Sequence, residues 1–159
     1  AAFGQGYRYH VTGLAHDARG FPTQRPDEIQ GLMTRLFRKI SQHFFDIQMV
    51  EQHATEDAEV LVIAYGSVAR SARRAISEAR ARGIKAGMAQ LVTLWPFPRQ
   101  IIEPLLPQMK AVLVPELNIG QISREVKRIN QGVTRIETLN RVDGSLITPA
   151  DILSRLLKL

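Results

Sequence analysis

Two short stretches of this sequence carry residue types that bind ligands or transfer protons. Gly66-Ser67-Val68 lies between an apolar run and a helical pattern, so its free backbone N–H groups could bind an anion. Glu116 and Asn118 follow a second apolar run, where a carboxylate could serve as an acid, a base or a hydroxyl acceptor. Strand ends of this kind meet at one edge of a parallel sheet, where ligands usually bind.

Each stretch also has a plainer interpretation, which we favour. Gly66-Ser67 lacks both the GxGxxG spacing and the lysine of a P-loop, which favours a tight turn with Ser67 as the helix N-cap. Asn118 and Gln121 resemble a capping box. Glu116 would then pair with an arginine at an interface.

Trp95-Pro96-Phe97 is a bulky apolar loop. It could line a pocket, but aromatic residues often anchor interfaces. We therefore expect Trp95 and Phe97 to fill the core or to dock a neighbouring domain.

The other polar residues have no catalytic or metal-binding spacing. The histidines form no i,i+4 pair and no HExxH pattern: His10, His16, His43 and His53. No serine lies in a GxSxG context. The sequence contains no cysteine, which excludes disulfides, a thiolate nucleophile and Cys-ligated zinc or iron–sulfur sites within it. We expect no catalytic, cofactor-binding or metal-ligating residue in this chain.

Composition favours one globular domain over residues 1–159, with 45% hydrophobic and 23% charged residues. The net charge is +6, but the arginines are spread over several helix faces, so nucleic-acid binding is not favoured. No apolar run approaches the roughly 20 residues that span a bilayer, and the start does not resemble a signal peptide. We expect no membrane association and a cytoplasmic location.

Strand and helix patterns alternate along the chain, which predicts a three-layer α/β/α sandwich with a mostly parallel sheet. The five predicted strands are residues 7–12, 60–65, 84–92, 111–114 and 134–139. The direction of the first is left open, and residues 46–58 are expected to be a connector. Gly83 is predicted to end one helix, and Thr148, Pro149 and Asp151 to open the last as N-cap, first and third positions.

Four segments resemble the C-terminal part of the α subunit of 2-oxoacid:ferredoxin oxidoreductases, most closely the 2-oxoglutarate type. They are YHVTGLAHDARGFPT, VLVIAYGSVARSARRAI, GIKAGMAQLVTLWPFP and VLVPELNIGQISREVKR. The resemblance runs from Tyr7 to about Leu157. It implies a fold similar to the C-terminal domain of transketolase, with strand order 1-3-2-4-5 and strand 1 antiparallel.

The resemblance implies an enzyme in which thiamine diphosphate, with its magnesium, is held between the preceding α-subunit domain and the β subunit. A 2-oxoacid is decarboxylated, its acyl group passes to coenzyme A, and electrons reach ferredoxin through iron–sulfur clusters. This sequence has no GDG motif with a downstream Asn pair, and it begins without Met.

We therefore expect a fragment of a longer α subunit that packs against the thiamine-binding domain and the β subunit of an oligomer. It would be non-catalytic and would bury an apolar patch around Trp95 and Phe97 in the complete enzyme. The alternative is a free-standing module that binds a small anion or nucleotide at Gly66-Ser67.

Overall fold

The computed structural model describes residues 2–159, and its contacts divide into two units. The first ends at Phe45, and the second is Asp46–Leu159. The prediction of one domain over residues 1–159 stays a prediction. Within the described residues, no helix combines the length and apolar character needed to cross a membrane.

The first unit contains one long helix, α1 (Pro26–Ser41), which begins with a proline in its first turn and places Asp27 and Glu28 against the helix dipole. None of its residues is buried. The strand predicted at residues 7–12 is wrong, because this stretch forms no strand. Its backbone instead makes one hydrogen bond with a later loop, in which the His10 N–H donates to the Gly20 carbonyl over 3.3 Å.

The second unit is a five-stranded sheet with the order β1-β3-β2-β4-β5. The strands are β1 (Val50–His53), β2 (Val60–Tyr65), β3 (Ala86–Leu91), β4 (Ala111–Glu116) and β5 (Arg135–Asn140). β1 is antiparallel to β3, and the other pairings are parallel. The implied strand order and the antiparallel first strand are therefore confirmed. However, β1 lies in the stretch that was predicted to be a connector.

Helices cover both faces of this sheet and make three layers. These helices are α3 (Gly66–Arg80), α4 (Arg99–Ile102), α5 (Gln121–Asn130) and α6 (Pro149–Leu156), with a 3-10 helix at Glu103–Gln108. A short helix, α2 (Phe44–Ile47), precedes β1 in the chain and has no buried residue. α3 and α6 pack on one face, and α4, the 3-10 helix and α5 on the other.

The apolar run of β2 serves both layers. Val60, Val62 and Ala64 face the α3 and α6 layer, whereas Leu61 and Ile63 face the α5 layer. All five are buried, as predicted for a strand that is covered on both faces.

Helix ends follow the local sequence in two places. Thr148 and Asp151 form a reciprocal capping box around Pro149 at the start of α6, as predicted. After α3, the Gly83 N–H donates to the Arg80 carbonyl at 2.9 Å and the Ile84 N–H to the Ala79 carbonyl at 3.1 Å. This pair of bonds is a Schellman motif with Gly83 at C′, which confirms the predicted helix stop.

Candidate functional site

The sheet reverses its winding direction between β2 and β4. β2 continues through α3 to β3 on one side, and β4 continues through α5 to β5 on the other. In open α/β sheets, ligands usually bind beyond the carboxyl ends of the strands at this switch point. Tyr65 ends β2 and Glu116 ends β4, so these two residues occupy the position where a ligand site would be expected.

A hydrogen-bonded network fills this position. The Tyr65 hydroxyl donates to Glu116 Oε2 over 3.1 Å, and Asn118 Nδ2 donates to the same hydroxyl over 2.6 Å. Glu116 is fully buried. Burial raises the pKa of Tyr65 above that of a free tyrosine, and the nearby charge of Glu116 adds to this shift. The phenol therefore stays protonated and available as a donor.

The same carboxylate stabilises the first turn of α5. Glu116 Oε2 accepts a hydrogen bond from the Ile122 N–H at 2.8 Å, and Oε1 accepts one from the Ser123 N–H at 2.9 Å. A carboxylate at this position interacts favourably with the positive end of the helix dipole. The expectation that Glu116 pairs with an arginine is wrong, because its described partners are two backbone amides and the Tyr65 hydroxyl.

Asn118 also binds this helix end, but without the predicted capping box. Its Oδ1 accepts hydrogen bonds from the Gly120 N–H at 2.8 Å and the Gln121 N–H at 2.9 Å. The N-cap of α5 is Gly120, which has no side chain to cap with, and no reciprocal bond from Gln121 is formed. Asn118 and Glu116 together therefore satisfy the free N–H groups that an anionic ligand would otherwise use.

The Gly66-Ser67-Val68 stretch begins α3 and differs from the prediction at Ser67. Gly66 has φ +56°, in the left-handed region that glycine adopts freely, which confirms the sharp turn. The N-cap is Tyr65, and it makes no side-chain cap bond. Ser67 is thus the second residue of the helix, not its cap. Val68 is buried in the core. A cavity of about 60 Å³ lies beside Ser67.

The apolar loop after β3 places one of its two aromatic side chains in the core and the other in solvent. Phe97 is only 8% exposed and packs in the α5 layer, whereas Trp95 is 67% exposed. Gln48 Nε2 donates to the Phe97 carbonyl at 3.0 Å and fixes this end of the loop. The prediction of an exposed patch around both residues is therefore wrong for Phe97.

Sequence reasoning missed Tyr65 as a member of the switch-point network. The available signal was a polar-tipped ring at the end of a buried apolar strand, because a buried tyrosine hydroxyl usually needs a partner. Within residues 2–159, no group of three or more His, Cys, Asp or Glu side chains could hold a metal ion. The arrangement at the switch point can hold the strand ends together, but it presents no free acid or base.

Comparison with known families gives one match to a family model. The family described as pyruvate:ferredoxin oxidoreductase core domain II matches residues 58–152. The matched segment includes β2, β4 and the whole of the switch-point network.

Curated relatives extend the similarity to nearly the full chain. The sequence is 39% identical over 157 residues to the 2-oxoglutarate synthase subunit KorA of Methanothermobacter marburgensis, covering 98% of this chain and 42% of that subunit. It is 37% identical over 106 residues to the ketoisovalerate oxidoreductase subunit VorB of the same organism, covering 67% of this chain and 30% of that subunit. The chain thus spans less than half the length of these curated relatives.

A solved structure has the same fold. The chain superimposes with a TM-score of 0.75 and 27% identity on a 2-oxoglutarate:ferredoxin oxidoreductase from Magnetococcus marinus with 2-oxoglutarate, coenzyme A and succinyl-CoA bound. The alignment covers 99% of this chain and 28% of that one.

Proposed function

This chain belongs to the pyruvate:ferredoxin oxidoreductase core domain II family, and from that premise we propose that it is a non-catalytic assembly domain of a 2-oxoacid:ferredoxin oxidoreductase. The observation that carries the proposal is the buried Glu116 carboxylate, which accepts hydrogen bonds from Tyr65, Ile122 and Ser123 of this same chain. A carboxylate engaged in this way joins strand ends to a helix and is not free to contact a substrate.

We propose that the complete enzyme oxidatively decarboxylates a 2-oxoacid to an acyl-CoA, with ferredoxin as the electron acceptor. The names of similar proteins favour 2-oxoglutarate as that acid. The family implies thiamine diphosphate, magnesium, an iron–sulfur cluster and coenzyme A for the whole enzyme. The residues of this chain do not fit the metal-containing groups, since the described part has no metal-ligating cluster and the sequence no cysteine. We assign all four cofactors to other parts of the enzyme.

The proposed partners follow from the same family. They are the thiamine-binding domain of the same α subunit and the β subunit, within an oligomeric cytoplasmic enzyme. Residues 1–159 would form a single domain of that longer α subunit. Relatives that are named as subunits, KorA and VorB, support the presence of partner subunits.

The non-catalytic role can be tested in the complete enzyme with Tyr65→Phe and Ser67→Ala. Both residues lie at the carboxyl ends of the strands, where a catalytic group of this fold would be placed. We expect kcat and KM for 2-oxoglutarate to stay within about twofold of the wild type, per mole of bound thiamine diphosphate. Loss of a general acid or base lowers the rate about 10²–10⁴-fold. A loss of that size, at unchanged thiamine diphosphate content, would overturn the proposal.

The alternative of a free-standing ligand-binding module has less support. Its best feature is the first turn of α3, where no side chain caps the helix. However, the cavity beside Ser67 has a volume of about 60 Å³. Ligand pockets usually have volumes of about 300–1,000 Å³. We therefore do not adopt this alternative.

A further inference from the structure

We propose that the carboxyl end of the sheet in Asp46–Leu159 is the docking surface for a partner subunit whose facing surface has an apolar centre and an acidic rim. This inference rests on the proposed function and deepens it, because it names the face that is used and the chemistry of what covers it.

Exposed apolar side chains are concentrated at this end of the unit. Ten large apolar side chains are exposed in Asp46–Leu159, and all except Val133 and Leu157 lie in loops at the carboxyl end of the parallel strands. We define the carboxyl-end surface by six of them: Leu94, Trp95, Leu117, Ile119, Val142 and Leu146. Scattered apolar residues are ordinary on a protein surface, but a contiguous group of this kind marks an interaction site.

Strand topology brings these residues together. They follow β3, β4 and β5, and neighbouring strands lie about 4.8 Å apart. Leu117 and Leu146 line the same small cavity beside Ser67, so the loops after β4 and β5 meet in front of α3. The loops after β4 and β5 therefore form one face, and the loop after β3 lies at the same end of the sheet, with the end of β2 between them.

The opposite end of the sheet has a different character. There Glu59 forms ion pairs with both Lys85 and Lys110, and Arg80 pairs with Asp57 at 2.7 Å. Ion pairs are prominent at that end, and of the ten exposed apolar side chains only Val133 and Leu157 lie away from the carboxyl end. The apolar character of the carboxyl end is thus specific to one side of the unit.

Two exposed arginines at the carboxyl-end surface have no ion-pair partner within the described residues. Arg70, in the second turn of α3, and Arg124, in the first turn of α5, are exposed and form no ion pair within residues 2–159. Of the nearby acids, Glu116 is buried, whereas Asp143 is exposed and accepts hydrogen bonds from the uncharged Ser145, so the two arginines outnumber this one exposed carboxylate. Complementary potentials favour a partner with carboxylates at its rim.

Charge also argues against a second copy of this chain as the occupant. A two-fold interface places the same surface on both partners. Arg70 and Arg124 would then meet a rim that offers two more arginines without ion pairs and, in the described part of the chain, only one exposed carboxylate, Asp143. Nucleic acid is a less suitable occupant. Its affinity comes mainly from phosphate contacts to cations, and the centre of this surface presents apolar side chains such as Ile119.

The test uses the complete enzyme, with the full-length α subunit and the β subunit produced together. Ile119→Asp places a charge at the centre of the surface, where Ile119 is 68% exposed. The matched control is Val133→Asp, at a residue that is 63% exposed and lies away from this end. We expect Ile119→Asp to weaken α–β association at least 10-fold by size exclusion with light scattering, and Val133→Asp to leave it unchanged.

A charge-reversal pair tests the rim. Arg70→Glu with Arg124→Glu should weaken association and reduce its dependence on salt, because attraction between rim charges is lost. Each variant is first checked for an unchanged unfolding midpoint, which separates an interface effect from misfolding.

Three outcomes would overturn the inference. The first is wild-type association of Ile119→Asp. The second is loss of an α–α contact in place of the α–β contact, which would identify a second copy. The third is protection of the Ile119 loop from hydrogen exchange in the wild-type α subunit alone, which would show that its own remaining chain covers the surface. An enzyme that assembles normally and still oxidises 2-oxoglutarate would refute only this inference. A wild-type preparation of the assembled α and β subunits that does not oxidise 2-oxoglutarate would refute the proposed function.

Discussion

The Tyr65 hydroxyl lies 3.1 Å from Glu116 Oε2 and joins the last residue of β2 to the last residue of β4. The bond connects the two halves of the sheet at the point where the winding direction reverses. Since Glu116 also accepts the N–H groups of Ile122 and Ser123, one buried carboxylate connects two strands and a helix. The position that would hold a ligand in many α/β proteins is here part of the internal structure.

We predict that Glu116→Gln lowers the free energy of unfolding by about 2 kcal/mol. The new side-chain NH₂ at this position would lie opposite a donor from which the Glu116 carboxylate accepts a hydrogen bond. The favourable interaction between the carboxylate and the α5 dipole would also be lost. Urea unfolding followed by circular dichroism measures the change. The matched control Tyr65→Phe removes one donor and is expected to cost about 1 kcal/mol. An unchanged midpoint for Glu116→Gln would contradict the assigned role of the carboxylate.

A second prediction contrasts the two aromatic residues of one loop. Phe97→Ala removes a ring from the α5 layer and is expected to cost about 3–5 kcal/mol. Trp95→Ala alters a side chain that is 67% exposed, and we expect a change within about 0.5 kcal/mol when the partner is absent. Thermal unfolding of both variants gives the comparison. Equal losses would mean that Trp95 packs inside the fold.

A third prediction concerns Gly87, the second residue of β3. An added Cβ would lie 2.5 Å from the Ala54 carbonyl oxygen and 2.9 Å from Ala58 Cβ, so the backbone of that segment would have to move. We expect Gly87→Ala to cost about 1–3 kcal/mol by urea unfolding. The control Gly13→Ala meets nothing within 4 Å and should stay within about 0.5 kcal/mol of the wild type. A neutral Gly87→Ala would show that the segment can move aside.

A fourth prediction is a pH dependence at the start of α6. The Thr148 N–H, at 2.8 Å, holds the pKa of Asp151 below its usual range, with help from the Thr148 hydroxyl and Arg141. A lowered pKa in the folded state stabilises the protein above the unfolded-state pKa, about 3.9, and this contribution disappears as the pH falls through the folded-state value. We therefore expect Asp151→Asn to be less stable than the wild type at pH 7 and to converge with it in acid. A pH-independent difference would rule out this linkage.

Local signals in the sequence predicted most of the parallel core. The two-sided apolar run of β2, the stop at Gly83 and the Thr148-Asp151 capping box each depend on residues close together in the chain. Because these features depend on neighbouring residues and little on the rest of the fold, they can be predicted from the sequence.

Features that depend on distant pairing were missed. β1 has the sequence VEQH, which is short and polar, and it exists because its residues pair with β3 from Val50 opposite Leu91 to His53 opposite Met88. Residues 7–12 alternate as a strand would but have no partner strand. The role of Glu116 likewise depends on Tyr65, 51 residues earlier in the chain. A local pattern can indicate that the Tyr65 hydroxyl needs a partner, but it does not say which distant residue provides one.

The two outer strands of the sheet also affect how an unassembled chain behaves. β1 has only four residues, three of them exposed, and β5 carries Arg135 and Glu137 along its length. An open strand edge can recruit further strands and seed fibrils, and short or charged edges resist this. In the absence of the proposed partner, the sheet edges of this chain should therefore resist amyloid-like growth, although its apolar end stays uncovered.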